Sequence, residues 1–269
     1  MHRHALTMPD SRTLVANAVL LLLVAAAVIV SLSMGTVQIA PAEVIRALIG
    51  TTEDPMAAFV INELRLSRVV AGMLSGAALA LAGCLMQTLA RNRLATPGII
   101  GIDNAATAFA VASVVGTGIA IAPSAMALAG AATATALAFG LAGANGTRGY
   151  RFIVAGLGIG AIALGTRLRR TRVVGLGLSV LLTGLAVSVC GPVGLVALLA
   201  PELARTVCRP GRIPLTAAAL AGAAFMVIAD LLGRTLFSPL EIPVGIITAI
   251  VGSPYLLWIL LRPSTRSLT

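Results

Sequence analysis

Apolar residues come in long uninterrupted runs, separated by short basic or broken stretches. Residues 69–90 show the pattern most fully, with 22 positions and no charge. At ~1.5 Å per residue that is about 33 Å of helix, enough to cross a bilayer. Arg65 and Arg68 stand before this run, Arg91 and Arg93 behind it, and a Thr-Pro-Gly break follows at 96–98. Comparable runs predict spans at 14–32, 98–115, 119–142, 173–189, 193–203, 215–232 and 244–261, with a short interfacial helix at 41–49. Gly72 and Gly76 form a G-x-x-x-G pair that predicts close helix approach. Residues 152–164 are apolar over thirteen positions only, too short to cross. Arg148 and Arg151 precede them, and Arg167, Arg169, Arg170 and Arg172 follow. Basic clusters on both sides predict that this segment does not cross.

Composition agrees with a polytopic, all-α membrane bundle. The 269 residues are 58% hydrophobic and 10% charged, with a mean hydropathy of +1.02, whereas soluble domains are about a quarter charged. All 19 basic residues are arginine. Without lysine the chain cannot hydrolyse ATP through a P-loop, and Schiff-base and Ser-Lys chemistry are excluded. Its two histidines, His2 and His4, lie in a polar N-terminal stretch, which reads as a tail rather than a metal site. Cys84, Cys190 and Cys208 are scattered and read as packing residues without a disulfide framework. Neither a catalytic group, a metal site nor a cofactor is expected.

The net charge of +10 could suggest nucleic acid, but topology accounts for it better. With the N-terminus inside and each predicted span crossing once, fifteen arginines fall inside and four outside, namely Arg46, Arg65, Arg68 and Arg234. That bias predicts eight crossings with both ends cytoplasmic. Residues 1–13 and 263–269 then form cytoplasmic tails around a transmembrane domain at 14–262. A cleavable signal peptide competes for residues 14–32, with Ala40-Pro41-Ala42 as its site. The apolar run is long for a signal and the site lies far downstream, so a retained span is the reading adopted.

Four motifs in order carry a resemblance: GCLMQTLARNRLATPGIIGIDNAA, ALGTRLRRTR, GPVGLVALLAPELAR and ADLLGRTLFSPLEIPVGIITAIVGSP. Together they resemble the FecCD-type permeases, membrane subunits of ABC importers for iron-siderophores, haem and vitamin B12. The resemblance implies about ten spans per subunit and a second permease subunit, as homo- or heterodimer. It also implies cytoplasmic ATPase subunits and an extracytoplasmic substrate-binding protein. In the family, outer arginines in L-R-L-P-R and A-D-x-x-x-R motifs receive carboxylates of the binding protein. Here they match Arg65, Arg68 and Arg234, three of the four outer arginines. Local pairing competes with docking: Asp230 and Arg234 are four apart on one helix face, and Glu63 is near Arg65. The family's ATPase-coupling pattern matches Ala161, Leu164, Gly165 and Arg170. Gln87, Asn92, Pro97, Gly98, Gly101 and Asn104 match the turn and helix that line or gate the pathway. Interhelical hydrogen bonding is their alternative role.

Departures accompany the match. Arg93 stands where the family usually has Pro, Asp103 where it has Ser, and Glu202 where it has His. The family's fifth span begins like YRFIVAGLGIGAI and continues, whereas this chain passes at once to ALGTRLRRTR. Roughly sixty to seventy residues, an out-and-back hairpin with the first coupling helix, are missing by span length. The expected function is a permease carrying a metal chelate, specifically a ferric siderophore, in the cell (inner or plasma) membrane. A non-transporting subunit and an ion-coupled transporter relaying through Asp103 or Asp230 are the rivals.

Overall fold

The computed structural model describes residues 11–90, 92–114, 122–143, 166–208, 214–237 and 240–261. Every regular element among them is helical. α1 is Ser11–Ser33, α2 Pro41–Leu48, α3 Pro55–Phe59 and α4 Leu66–Ala90. A π-helical turn, Val60–Arg65, joins α3 to α4, so Pro55–Ala90 is one 36-residue helical run. A 3₁₀ turn, Pro97–Ile100, leads into α5 at Ile102–Val114, and α6 is Pro123–Gly143. α7 is Thr166–Cys190, α8 Val196–Val207, α9 Leu215–Thr235 and α10 Val244–Leu261. Among the described residues, Ser11–Ser33, Pro55–Ala90 and Leu215–Thr235 are long and apolar enough to cross a membrane. Apolar segments of α5, α7 and α10 are shorter, at Asn104–Val114, Val174–Cys190 and Val244–Tyr255.

α4 is the central element, flanked by α7, α8 and α9. Small residues explain why. An ideal Cβ on Gly76 would lie 2.3 Å from the Gly222 carbonyl, and one on Gly222 would lie 2.3 Å from the Gly76 carbonyl. Backbones of α4 and α9 therefore cross in direct contact, which only glycine permits. Deeper along α4, Gly83 faces the Ala197 carbonyl of α8, where a Cβ would be 1.7 Å away. Pro201, inside α8, has no N–H to offer that carbonyl one turn back. Ser179 of α7 donates to the Ala82 carbonyl at 3.0 Å, and the Cys190 thiol lies 3.9 Å from that of Ala71. Those levels make α7 antiparallel to α4. Arg68–Asp230 and Gly76–Gly222 make α9 antiparallel to it as well. α1 runs beside α9, with Asn17 at Thr216 and Ser31 at Arg234.

Every predicted span contains a helix, and the short helix expected at 41–49 is α2. The G-x-x-x-G expectation is corrected in part: Gly76 makes the close crossing, but nothing lies within 4 Å of a Cβ on Gly72. The expected helix at 193–203 starts three residues later. Gly191 and Leu195 both take left-handed φ, 74° and 68°, and delay it to Val196. α7 starts at Thr166, so Arg167, Arg169, Arg170 and Arg172 sit on its first turns and not in a loop. Residues 152–164 lie outside the described ones. α7 begins at the end of the bundle where α4 finishes, since Gly175 packs on Leu89.

Candidate functional site

α4 carries polar groups near both of its ends. Arg68 and Gln87 are 19 residues apart, about 28 Å along the axis. Each organises a cluster.

At the Arg68 end, Asp230 sits between two guanidiniums. Arg68 approaches one carboxylate oxygen at 3.0 Å and Arg234 the other at 2.9 Å. A second nitrogen of Arg68 meets Glu241 at 3.0 Å. Arg234 also donates to the Ser31 hydroxyl at 2.7 Å and is only 11% exposed, whereas Arg68 is 47% exposed. Arg65 does not turn to Glu63. Its guanidinium donates to the carbonyls of Leu32 and Ser33 at the C-terminal end of α1 and to that of Val37 in the loop that follows. Helix ends leave such carbonyls without intrahelical donors and favour a cation there. The π turn sets Arg65 in this position, and Gly35 makes room, since a Cβ there would come within 2.8 Å of the guanidinium. Arg65, Arg68 and Arg234 thus converge, but two of them are committed inward. A cavity of about 550 Å³ adjoins them, lined by Arg68, Gly72, Cys190, Asp230 and Ile246 among others.

At the opposite end, Gln87 is 3% exposed and joins α4 to α8. Its amide donates to the Leu198 carbonyl at 3.4 Å, and its oxygen accepts from Arg205. Arg205 also pairs with Glu202 at 3.3 Å. Glu202 accepts a second cation, Arg93, at 3.0 Å. Asn92 folds the turn locally, its side chain accepting from the Leu94 N–H at 2.9 Å. Pro97 is fully buried, Gly101 takes φ +79°, and Asn104 is exposed on α5. Gln87 and Arg93 therefore face α8, the 3₁₀ turn with Pro97 and Gly98 packs against α4, α5, α6 and α7, and Asn104 lies further along on α5. Asp103 falls in the first turn of α5, and Arg170 in the first turns of α7. Ala161, Leu164 and Gly165 lie outside the described residues.

Sequence reasoning missed the partners. Glu241 and Asp230 meet Arg68 across more than 160 residues, a separation that leaves no local signal. The Arg93–Glu202 pair had one available clue, that both positions depart from the family pattern. Cys208, just beyond α8, is buried, and burial pushes its thiol up against the opposing pull of Arg12. It is not an activated nucleophile.

The FecCD transport family matches residues 21–163 and 160–262, two blocks that meet at 160–163. The achromobactin transport system permease protein CbrC of Dickeya dadantii (strain 3937) is 30% identical, over 90% of this chain and 90% of its own length. That alignment runs over 314 positions, more than this chain has, so the relative carries residues that this chain lacks. The ferric enterobactin transport system permease protein FepG of Escherichia coli (strain K12) is 29% identical, over 91% of this chain and 96% of its own. A solved metal-chelate type ABC transporter in an inward-facing conformation shares the fold, with a TM-score of 0.73 and 21% identity. It covers 91% of this chain and 98% of that one.

Proposed function

This chain belongs to the FecCD transport family, and from that footing we propose that it is the permease subunit of an ABC importer carrying a ferric siderophore. Relatives whose printed names specify achromobactin and ferric enterobactin transport support the substrate class. The chain itself performs no covalent chemistry, and ATP is hydrolysed by separate subunits. The protein spans the cell (inner or plasma) membrane with both termini cytoplasmic, a reading supported by the fifteen-to-four arginine distribution. The Arg68 end then faces out.

The observation that carries this reading is the pair of polar clusters at opposite ends of an apolar bundle. The loaded binding protein docks at the outer one. Arg68 is its main contact, being half-exposed and able to exchange Glu241 for a partner's carboxylate. Arg65 and Arg234 hold the surface on which Arg68 stands. At the inner end, the turn from Gln87 to Asn104 lines or gates the pathway. ATPase subunits engage the region around Ala161, Leu164, Gly165 and Arg170, and a second permease subunit completes the channel. Ion relay through Asp230 is disfavoured, because both of its carboxylate oxygens are already engaged by guanidiniums.

A second reading, a subunit that inserts without transporting, has one specific support. The family match falls in two blocks that meet at 160–163, where the missing hairpin was expected. The test uses proteoliposomes holding this chain and its candidate ATPase, with loaded binding protein added. ATP hydrolysis and uptake of a labelled ferric chelate both rise if the importer reading is right. Stable ATPase binding without uptake sinks it and leaves the second reading.

A further inference from the structure

We infer that Arg93 and Glu202 form a releasable tether that holds the α4–α5 turn against α8. Three observations carry it. First, the contact spans separate elements: Arg93 lies in the turn after α4, Glu202 lies on α8, and their charged atoms are 3.0 Å apart. Second, the two ends differ in burial. Arg93 is 73% exposed, whereas Glu202 is 13% exposed. Third, Glu202 has a fixed partner besides the removable one. Arg205 pairs with it at 3.3 Å and is itself anchored on buried Gln87.

The asymmetry makes release possible. Breaking an ion pair with a buried, otherwise unpaired carboxylate strands a charge and is costly. Here Glu202 stays neutralised by Arg205 when Arg93 leaves, and the Arg93 guanidinium passes into water. An exposed contact of this kind is weak and screened by salt. It can therefore bias the turn without locking it. The turn is closed locally and bounded at its far side. Asn92 and Leu94 close a local turn, and Gly101 with its left-handed φ bounds the segment at the far side. Both tether residues stand where the sequence departs from the family pattern, Arg for Pro and Glu for His.

The role of the turn in the pathway rests on the importer reading, but the tether itself does not. The test reads the turn directly. Ala95, which is buried in the turn, is replaced by cysteine (A95C) in the full chain, with the native cysteines removed by C84A, C190A and C208A. Maleimide modification of A95C is then timed in purified membranes. With Arg93→Gln the rate should rise about threefold, the scale of a lost exposed pair. Arg93→Lys should leave it close to the parent. High salt should speed the parent but not the Arg93→Gln protein. Equal rates in the parent and Arg93→Gln, or an unchanged salt response in Arg93→Gln, overturn the tether. Arg93 is exposed, so its variants should melt with the parent, and a melting control separates release from unfolding. No ATPase or chelate is needed. Loss of uptake with the labelling contrast intact therefore counts against the importer reading alone.

Discussion

Gly76 and Gly222 bring two backbones into contact, and the consequence is sharp at the level of single atoms. A side chain at either position must displace a facing carbonyl that would be 2.3 Å from its Cβ. Gly76→Leu or Gly222→Leu should cost about 1–3 kcal/mol, the usual penalty of overpacking. Thermal melting in detergent should show it as a lowered midpoint. Gly72→Ala, with nothing within 4 Å, should melt like the parent, and equal losses in both would refute the assignment. The outer arginines separate in the same way. Arg65→Ala leaves carbonyls at the end of α1 without their donor and should lose about 1–3 kcal/mol of stability. Arg68→Ala removes a half-exposed side chain and should change the midpoint little, while weakening stimulation of ATP hydrolysis by the binding protein several-fold. Sequence alone could anticipate Asp230–Arg234, because four-residue spacing on a helix is a local rule. It could not anticipate Arg68–Glu241, whose partners are brought together only by the packing of α4 against the segment after α9.

Helices are where sequence reading succeeded best. Uninterrupted apolar runs leave the chain little choice in lipid, since backbone polar groups must be satisfied internally. α10 begins and ends where hydropathy placed it, and α9 only extends by three residues. Helix starts were harder. Thr166 and Val196 begin α7 and α8 at points that hydropathy did not mark, because arginines can occupy a helix end and because Leu195 takes a left-handed conformation. The continuous run from Pro55 was also missed. Asp54 starts it, with its carboxylate accepting from the N–H groups of Met56 and Ala57 at 2.9 and 3.3 Å. Such caps are worth about 1 kcal/mol. Asp54→Ala should therefore speed amide exchange across residues 56–60 by about fivefold, measured by mass spectrometry, and leave residues 70–88 unchanged. Slowing or no change in the first segment would show that packing, not the cap, holds it.

For the molecule as a whole, alternating helix directions put Phe237 and Asn92 at opposite ends. Both are exposed. In intact cells, a cysteine replacing Phe237 should react with an impermeant maleimide, and one replacing Asn92 should react only after permeabilisation. The reverse pattern would invert the orientation. The 36-residue run Pro55–Ala90 adds a constraint on the host membrane. At ~1.5 Å per residue it is about 54 Å long, well beyond a hydrocarbon layer of about 30 Å. Arginines at 65 and 68 on one side and at 91 and 93 on the other bracket its uncharged middle. In the membrane placement proposed above, these charges limit how far the bundle can slide through the bilayer. The α3 portion must then stand clear of the lipid as a short pillar, with α2 resting beside it. In a thinner bilayer the rod cannot sink, and tilting is one adjustment open to it, beside kinking and thickening of the lipid around it. Because α4 packs on α7, α8 and α9 together, such a tilt would be shared by all of them. Bilayer thickness therefore becomes a variable that acts on the whole assembly at once.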